Sequence, residues 1–138
     1  MLFKLAQKVG IALIFAILTG VILYMALGML YYSPLLFGNR WIQLLNIEIG
    51  KMNIGLLLLT TIVSNVTLYI ILQLSQAETL VDGALIGGAI GLIVAFAYAK
   101  DFLFGLGEKS NNVFLLYLIA VGYHVIALTI IGAMMMFF

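Results

Sequence analysis

The chain has 138 residues and no cysteine, and it holds one proline, one tryptophan, one histidine and one arginine. Without cysteine it has no disulfide, no thiolate metal site and no cysteine nucleophile, and its redox compartment stays open. Charge is the scarcest property of all, at 8% of residues. Soluble domains carry roughly 25%, because something must keep their surfaces wet. The net charge is +1, and the six basic residues are spread thinly along the chain. No cluster of them could neutralise a phosphate backbone, so no nucleic-acid partner is expected. The five carboxylates fall in loops or at helix ends, and the single histidine has no acid or nucleophile near it in sequence. An enzyme is therefore not expected. Neither is a metal or another cofactor, since the ligands are too few and too scattered.

What the chain has is apolar length. It is 66% hydrophobic, with a mean hydropathy of +1.30. Four segments suffice to cross a bilayer, which takes roughly 20 residues of helix. They cover about 9–30, 54–74, 80–99 and 113–138. Their apolar residues are continuous and do not alternate with period two, which excludes a β-barrel. Backbone groups in hydrocarbon must be satisfied within the segment, so these runs are helices. The expectation is one all-α domain over 1–138, an integral membrane four-helix bundle. Lys4 and Lys8 before the first run resemble the opening of a signal peptide. At about 22 residues the run exceeds the roughly 7–15 of a signal core, so it reads as a retained span.

Between the first two spans lies Tyr31-Tyr32-Ser33-Pro34-Leu35-Leu36-Phe37-Gly38-Asn39-Arg40-Trp41. It holds the only proline, arginine and tryptophan. Ser33 can cap a helix and Pro34 can occupy its first position. Asn39, Arg40, Gln43 and Asn46 then recur at helical spacing, with Phe37, Trp41, Leu44 and Leu45 on the other face. This predicts a short amphipathic helix over about 34–46, lying in the headgroup layer. Tyr31, Tyr32 and Trp41 belong at that level as anchors, and Arg40 can reach a lipid headgroup. Arg40 and Glu48 could also meet as an exposed pair of little energetic value. Isoleucines and Gly50, around Glu48 and Lys51, lead into the second span.

Two patterns stand out within the spans. Gly83, Gly87, Gly91, Ala95 and Ala99 repeat every four residues on the third, with Gly88 beside them. Side chains four apart share a face, and small residues there let backbones approach closely in lipid. Ala12, Ala16 and Gly20 form a shorter groove of the same kind on the first span, a candidate partner for it. The G-x-x-x-G-G-x-x-G string is no phosphate loop, since no strand precedes it and no lysine follows. The short turn at 75–79 should make spans two and three antiparallel neighbours, with Glu78 and Asp82 favoured by the helix dipole.

The second pattern is polar. Asn65 and His124 fall near mid-span, and Thr19 sits at a similar depth. Intramembrane ionisable groups are functional candidates by default. The sharper reading is a midplane polar cluster that binds a small solute or relays protons through His124. The plainer reading is interhelical hydrogen bonding that fixes packing, at about 0.6 kcal/mol per contact. For orientation, Arg40, Lys51, Lys100 and Lys109 share one side and Lys4 and Lys8 the other. The count favours cytoplasmic long loops and outside termini.

The Tyr31–Gly38 stretch with Trp41 resembles the aromatic-Tyr-Ser-Pro-x-x-Phe-Gly-x-x-Trp signature of domain of unknown function 1761, a family of small prokaryotic membrane proteins. The resemblance extends over the chain through Asp82-Gly83-Ala84 and Gly122-Tyr123-His124. Tyr31 departs from it, since tryptophan is more usual there, but tyrosine is an interfacial aromatic too. The resemblance implies about four spans and a bacterial cytoplasmic membrane, and it supplies no activity. From the residues, the expected role is a structural or interaction subunit, motivated by the small-residue ladder. Membrane lipids and a second copy or a larger membrane protein are the expected partners. A small channel or transporter around Asn65 and His124 is the alternative.

Overall fold

A computed structural model describes residues 2–46, 53–105 and 108–138, with side chains from Gly10 onward except that of Leu103. Five helices follow in order: α1 (Leu2–Tyr31), α2 (Gly38–Leu45), α3 (Ile54–Leu74), α4 (Leu80–Leu103) and α5 (Val113–Met135). The described residues contain no strand. Four of the helices are long and apolar enough to cross a membrane, over Gly10–Tyr31, Ile54–Leu74, Leu80–Phe102 and Val113–Met135. The chain is thus an all-α integral membrane protein. Glu48, Gly50 and Lys51 lie outside the described residues, as do the side chains of Lys4 and Lys8, so the expectations placed on them are not addressed.

Capping fixes most of the helix starts. Asn53 accepts from Leu56 N at 3.0 Å, and Asn112 accepts from Leu115 N at 2.9 Å. At α4 the Thr79 hydroxyl accepts from Asp82 N at 3.1 Å, while the Asp82 carboxylate accepts from Thr79 N at 2.9 Å. Each cap satisfies backbone donors that a helix cannot satisfy itself. The carboxylate of Asp82 also meets the positive end of the α4 dipole, as expected. The fourth span stops at Met135, short of the expected Phe138. Met136 N and Phe137 N bond three residues back, to Ala133 and Met134, which tightens the last turn.

α5 is the centre of the molecule. Buried residues occur all around it, among them Leu116, Ile119, Tyr123, Leu128, Ile131 and Met135. Its most extensive partner is α4, with α1 next, α2 against its beginning and α3 lightly against its end. α1 packs on α3 as well. This corrects two expectations. α3 and α4 are joined by a short turn yet scarcely touch. The Ala12-Ala16-Gly20 groove of α1 is not the partner of the α4 ladder; Ala16 is wholly buried and Gly20 lies against Asn65 of α3.

The physical reason is that α4 finds a better match in α5. A methyl group added at Gly83 would run into the Gly132 carbonyl, and one at Gly132 into that of Gly83. At Gly87 it would meet the Leu128 carbonyl, and at Gly91 it would lie 2.6 Å from Val125 Cα. As the number rises along α4 it falls along α5, so the two helices are antiparallel with backbones in contact. Two reciprocal glycines allow an approach that Ala12 and Ala16 would not.

The link after α1 is the third correction. The helix expected over 34–46 occupies Gly38–Leu45, and Ser33 does not cap it. Residues 32–37 form a turn that closes α1 instead. Leu36 N and Gly38 N both donate to the Ser33 carbonyl, at 3.1 and 3.0 Å, and Phe37 N donates to that of Tyr31 at 3.0 Å. The Ser33 hydroxyl accepts from Leu35 N at 3.3 Å. Gly38 is required there, because a methyl group would overlap the Tyr32 and Ser33 carbonyls. Pro34 has no N–H to leave unpaired in this tight return. α2 then covers the first turns of α5, where α1 has already ended. Leu44 is buried with Leu116 and Ile119, while Asn39, Arg40 and Gln43 stay exposed.

Candidate functional site

The side chains singled out from the sequence do not gather at one point. Asn65 is 1% exposed, and its amide nitrogen donates to the Thr61 carbonyl at 2.9 Å. Its Oδ1 is buried with no hydrogen-bond partner. That oxygen lies where a side chain of Gly20 would begin, beside the Met135 methyl. Weak Cα–H···O contacts of this kind recur where helices meet. Gly20 thus gives the oxygen a place, and the pair locks α3 onto α1 without leaving room for a solute.

His124 is elsewhere. Its Nδ1 is 2.8 Å from the Tyr24 hydroxyl. Gly20 and Tyr24 are one turn of α1 apart, about 6 Å of rise, while Met135 and His124 are three turns of α5 apart, about 16 Å. Among the described residues no hydrogen bond joins Asn65, His124 or the half-buried Thr19 to one another. The expected midplane cluster of Thr19, Asn65 and His124 is two separate places.

The richer of the two lies toward α2 and is built of rings. Tyr123 packs edge-on against Tyr24 at 5.1 Å between centroids, and against His124 at 5.2 Å. Tyr98 reaches over from α4 to 5.5 Å of His124. Tyr31 and Tyr32 approach Tyr123 at 5.7 and 5.6 Å, Phe37 covers Tyr31 at 4.7 Å, and Trp41 lies 4.9 Å from Tyr32. The Tyr31–Trp41 stretch and the Gly122-Tyr123-His124 stretch, far apart in sequence, therefore meet.

Small residues open the way for two hydroxyls. The Tyr123 hydroxyl donates to the Tyr24 carbonyl at 2.6 Å. That carbonyl faces Gly28 one turn on, and an added methyl there would lie only 3.0 Å from the Tyr123 oxygen. The carbonyl's second lone pair is thereby used. Likewise Tyr117 donates to the Ala95 carbonyl at 2.8 Å, beside the short side chain of Ala99 one turn on. So the five-step ladder serves two ends differently: Gly83, Gly87 and Gly91 bring backbones together, while Ala95 and Ala99 make room for a phenol.

The anchors are more buried than an interfacial role requires. Tyr31 is 9% exposed and belongs to the core with Leu44, Leu116, Ile119 and Tyr123. Tyr32 and Trp41 are half-buried, and burial holds the Tyr32 phenol above its ordinary pKa. Only Arg40 of this group is exposed. On the other side of Tyr123 an apolar cavity of about 210 Å³ opens between α1 and α5, lined by Leu27, Leu30, Tyr31, Phe37 and Ile126 among others. Among the described residues no group of three or more histidines and carboxylates could hold a metal ion.

Tyr24 and Tyr98 are the members that sequence reading missed. A signal exists for the first: Tyr24 and Tyr31 are seven residues apart, two turns of one helix face. Tyr98 carries no such signal, because its place depends on the register of α4 on α5. No curated protein and no solved structure matches the chain. The family model described as protein of unknown function (DUF1761) matches residues 15–136, and the chain belongs to that family.

Proposed function

We propose that this protein is a structural or interaction subunit of a membrane assembly, in the cytoplasmic membrane of a bacterium, with a second copy or a larger membrane protein as its partner. The observation that carries this is the outer face of α3. Thr60, Ser64 and Thr67 lie on one exposed stripe of that helix, at helical spacing. Small hydroxyl residues on a lipid-facing stripe are the pattern at which membrane helices associate. The Thr60 and Ser64 hydroxyls bond back to carbonyls of their own helix, which lets the stripe rest in lipid until a partner arrives. The first two turns of α3, Ile54 to Thr60, also bury no residue.

A channel or transporter draws less support. No hydrogen bond joins Asn65 to His124 among the described residues, and Leu68, Leu128, Ile131 and Met135 fill the interior beside Asn65. Membrane lipid is the surrounding partner in either reading, with exposed Arg40 the group placed to meet a phosphate. Native mass spectrometry in mild detergent tests the assembly. The expected result is an oligomer or a retained partner that is lost in Thr60→Leu/Ser64→Leu. A wild-type monomer with nothing bound overturns the reading, as does an assembly indifferent to the double substitution.

A further inference from the structure

The apolar cavity beside Tyr123 follows from two neighbours on α5. Tyr123 spans the gap to α1, where its hydroxyl donates to the Tyr24 carbonyl at 2.6 Å. One turn on, Ala127 offers only a methyl group, so the space between the two helices stays unfilled there. The result is the cavity of about 210 Å³. Leu27 and Leu30 supply its α1 wall and Ile126 and Ala127 its α5 wall, while Leu36 and Phe37 come from the return that follows α1.

The lining decides what belongs in it. Only Tyr31 and Tyr123 among the lining side chains carry a polar atom. The Tyr123 hydroxyl is already bonded, and that of Tyr31 lies against Gly122. Water has little to hold it here. Cavities of about 150 Å³ lined by leucine, isoleucine and phenylalanine stay dry and take up hydrocarbon instead. This one opens to the bilayer, since Leu30, Leu36 and Ile126 are each about half exposed.

The charge nearby narrows the occupant further. The first span ends at Tyr31, in the cavity wall, so the cavity lies just beneath the headgroup layer. Arg40 follows Phe37 by three residues, and side chains three apart on a helix are neighbours. It is exposed, and it is the one cation of α2. A hydrocarbon chain lying in the cavity brings its headgroup to the level of this guanidinium, whose forked donors match phosphate oxygens.

We propose that the α1–α5 cavity holds one acyl chain of an anionic phospholipid, with Arg40 against its headgroup charge. The site is built from α1, α5 and the return before α2 and uses no residue of α3. It therefore stands or falls independently of assembly through the α3 stripe.

The test is native mass spectrometry of the delipidated protein in mild detergent. The protein is titrated with palmitoyl-oleoyl phosphatidylglycerol or with phosphatidylcholine of the same chains. One phosphatidylglycerol should saturate first, with about fivefold higher affinity than phosphatidylcholine, the worth of one basic group beside an anionic lipid. Arg40→Gln, at an exposed position, should erase that preference. Ala127→Leu fills the cavity and should weaken retention of both lipids about tenfold, because leucine and acyl chain cannot share the space. Ile126→Trp narrows the exposed mouth and should do the same without entering the core. Adducts that accumulate with no saturating first lipid mean an ordinary lipid shell and overturn the proposal. So does equal wild-type affinity for the two lipids, or a preference unchanged in Arg40→Gln. Retention unchanged in folded Ala127→Leu and Ile126→Trp overturns it as well.

Discussion

Where α4 begins and α5 finishes, backbone lies on backbone: Gly83 on Gly132, Gly87 on Leu128, Gly91 on Val125. At the other end, where α2 folds over, side chains hold the helices: all tyrosines but Tyr69, with Phe37, Trp41 and His124. Among the described residues no side-chain hydrogen bond crosses the seam at the glycine end. The aromatic end has hydroxyls bonded across helices and an apolar cavity of about 210 Å³. Lipid is as apolar as leucine, so burial of carbon does not drive helices together here; close contact and hydrogen bonds do. The two ends use one each. The first holds its helices by backbone contact and the second by side chains.

The contrast can be broken from either side. Gly87→Leu places a side chain against the Leu128 carbonyl and must part α4 from α5. A loss of about 3 kcal/mol is expected, at the upper end of overpacking costs, read as a lowered unfolding midpoint in mixed detergent. Gly38→Ala strikes the Tyr32 and Ser33 carbonyls at the other end. The expected cost is about 1–2 kcal/mol, with a shift in Trp41 emission as α2 lifts from α5. Tyr123→Phe deletes one 2.6 Å hydrogen bond and keeps the ring stacking. About 0.6 kcal/mol should be lost, with the midpoint barely moved. A Tyr123→Phe effect as large as that of Gly87→Leu would mean the aromatic end carries the fold after all.

Much of this is legible in the sequence. Continuous apolar runs specify four spanning helices, because hydrocarbon leaves the backbone no other solution. The small-residue period on α4 marks a close-packed face, and the aromatic stretch marks the end of the first span. The pairing is not legible. Glycines at 83, 87 and 91 announce that something comes near without saying what, and both Gly20 on α1 and Gly132 on α5 could answer. Gly132 on α5 has no small partner at four-residue spacing to advertise it, since Leu128 and Met136 flank it. The Ser33-Pro34 pair has the same ambiguity, since the residues that start a helix also close a turn. What decides is the Gly38 contact with the preceding carbonyls, which only three dimensions reveal. Asn65 and His124 share a depth as counted within each span, and that count does not say that Asn65 turns to Gly20 and His124 to Tyr24.

The central claim is that the small-residue ladder of α4 is an internal seam, so that partners must use another face. The chain's freedom from cysteine allows this to be read directly. A methyl group at Gly88 would lie 3.0 Å from the Thr129 hydroxyl, close enough for a Gly88→Cys/Thr129→Cys pair to form a disulfide. Mild oxidation in native membranes, followed by non-reducing electrophoresis, should give a cross-linked species that runs as one chain. Cross-linking into dimers, with no intramolecular product, would contradict the account and return the ladder to the surface between molecules.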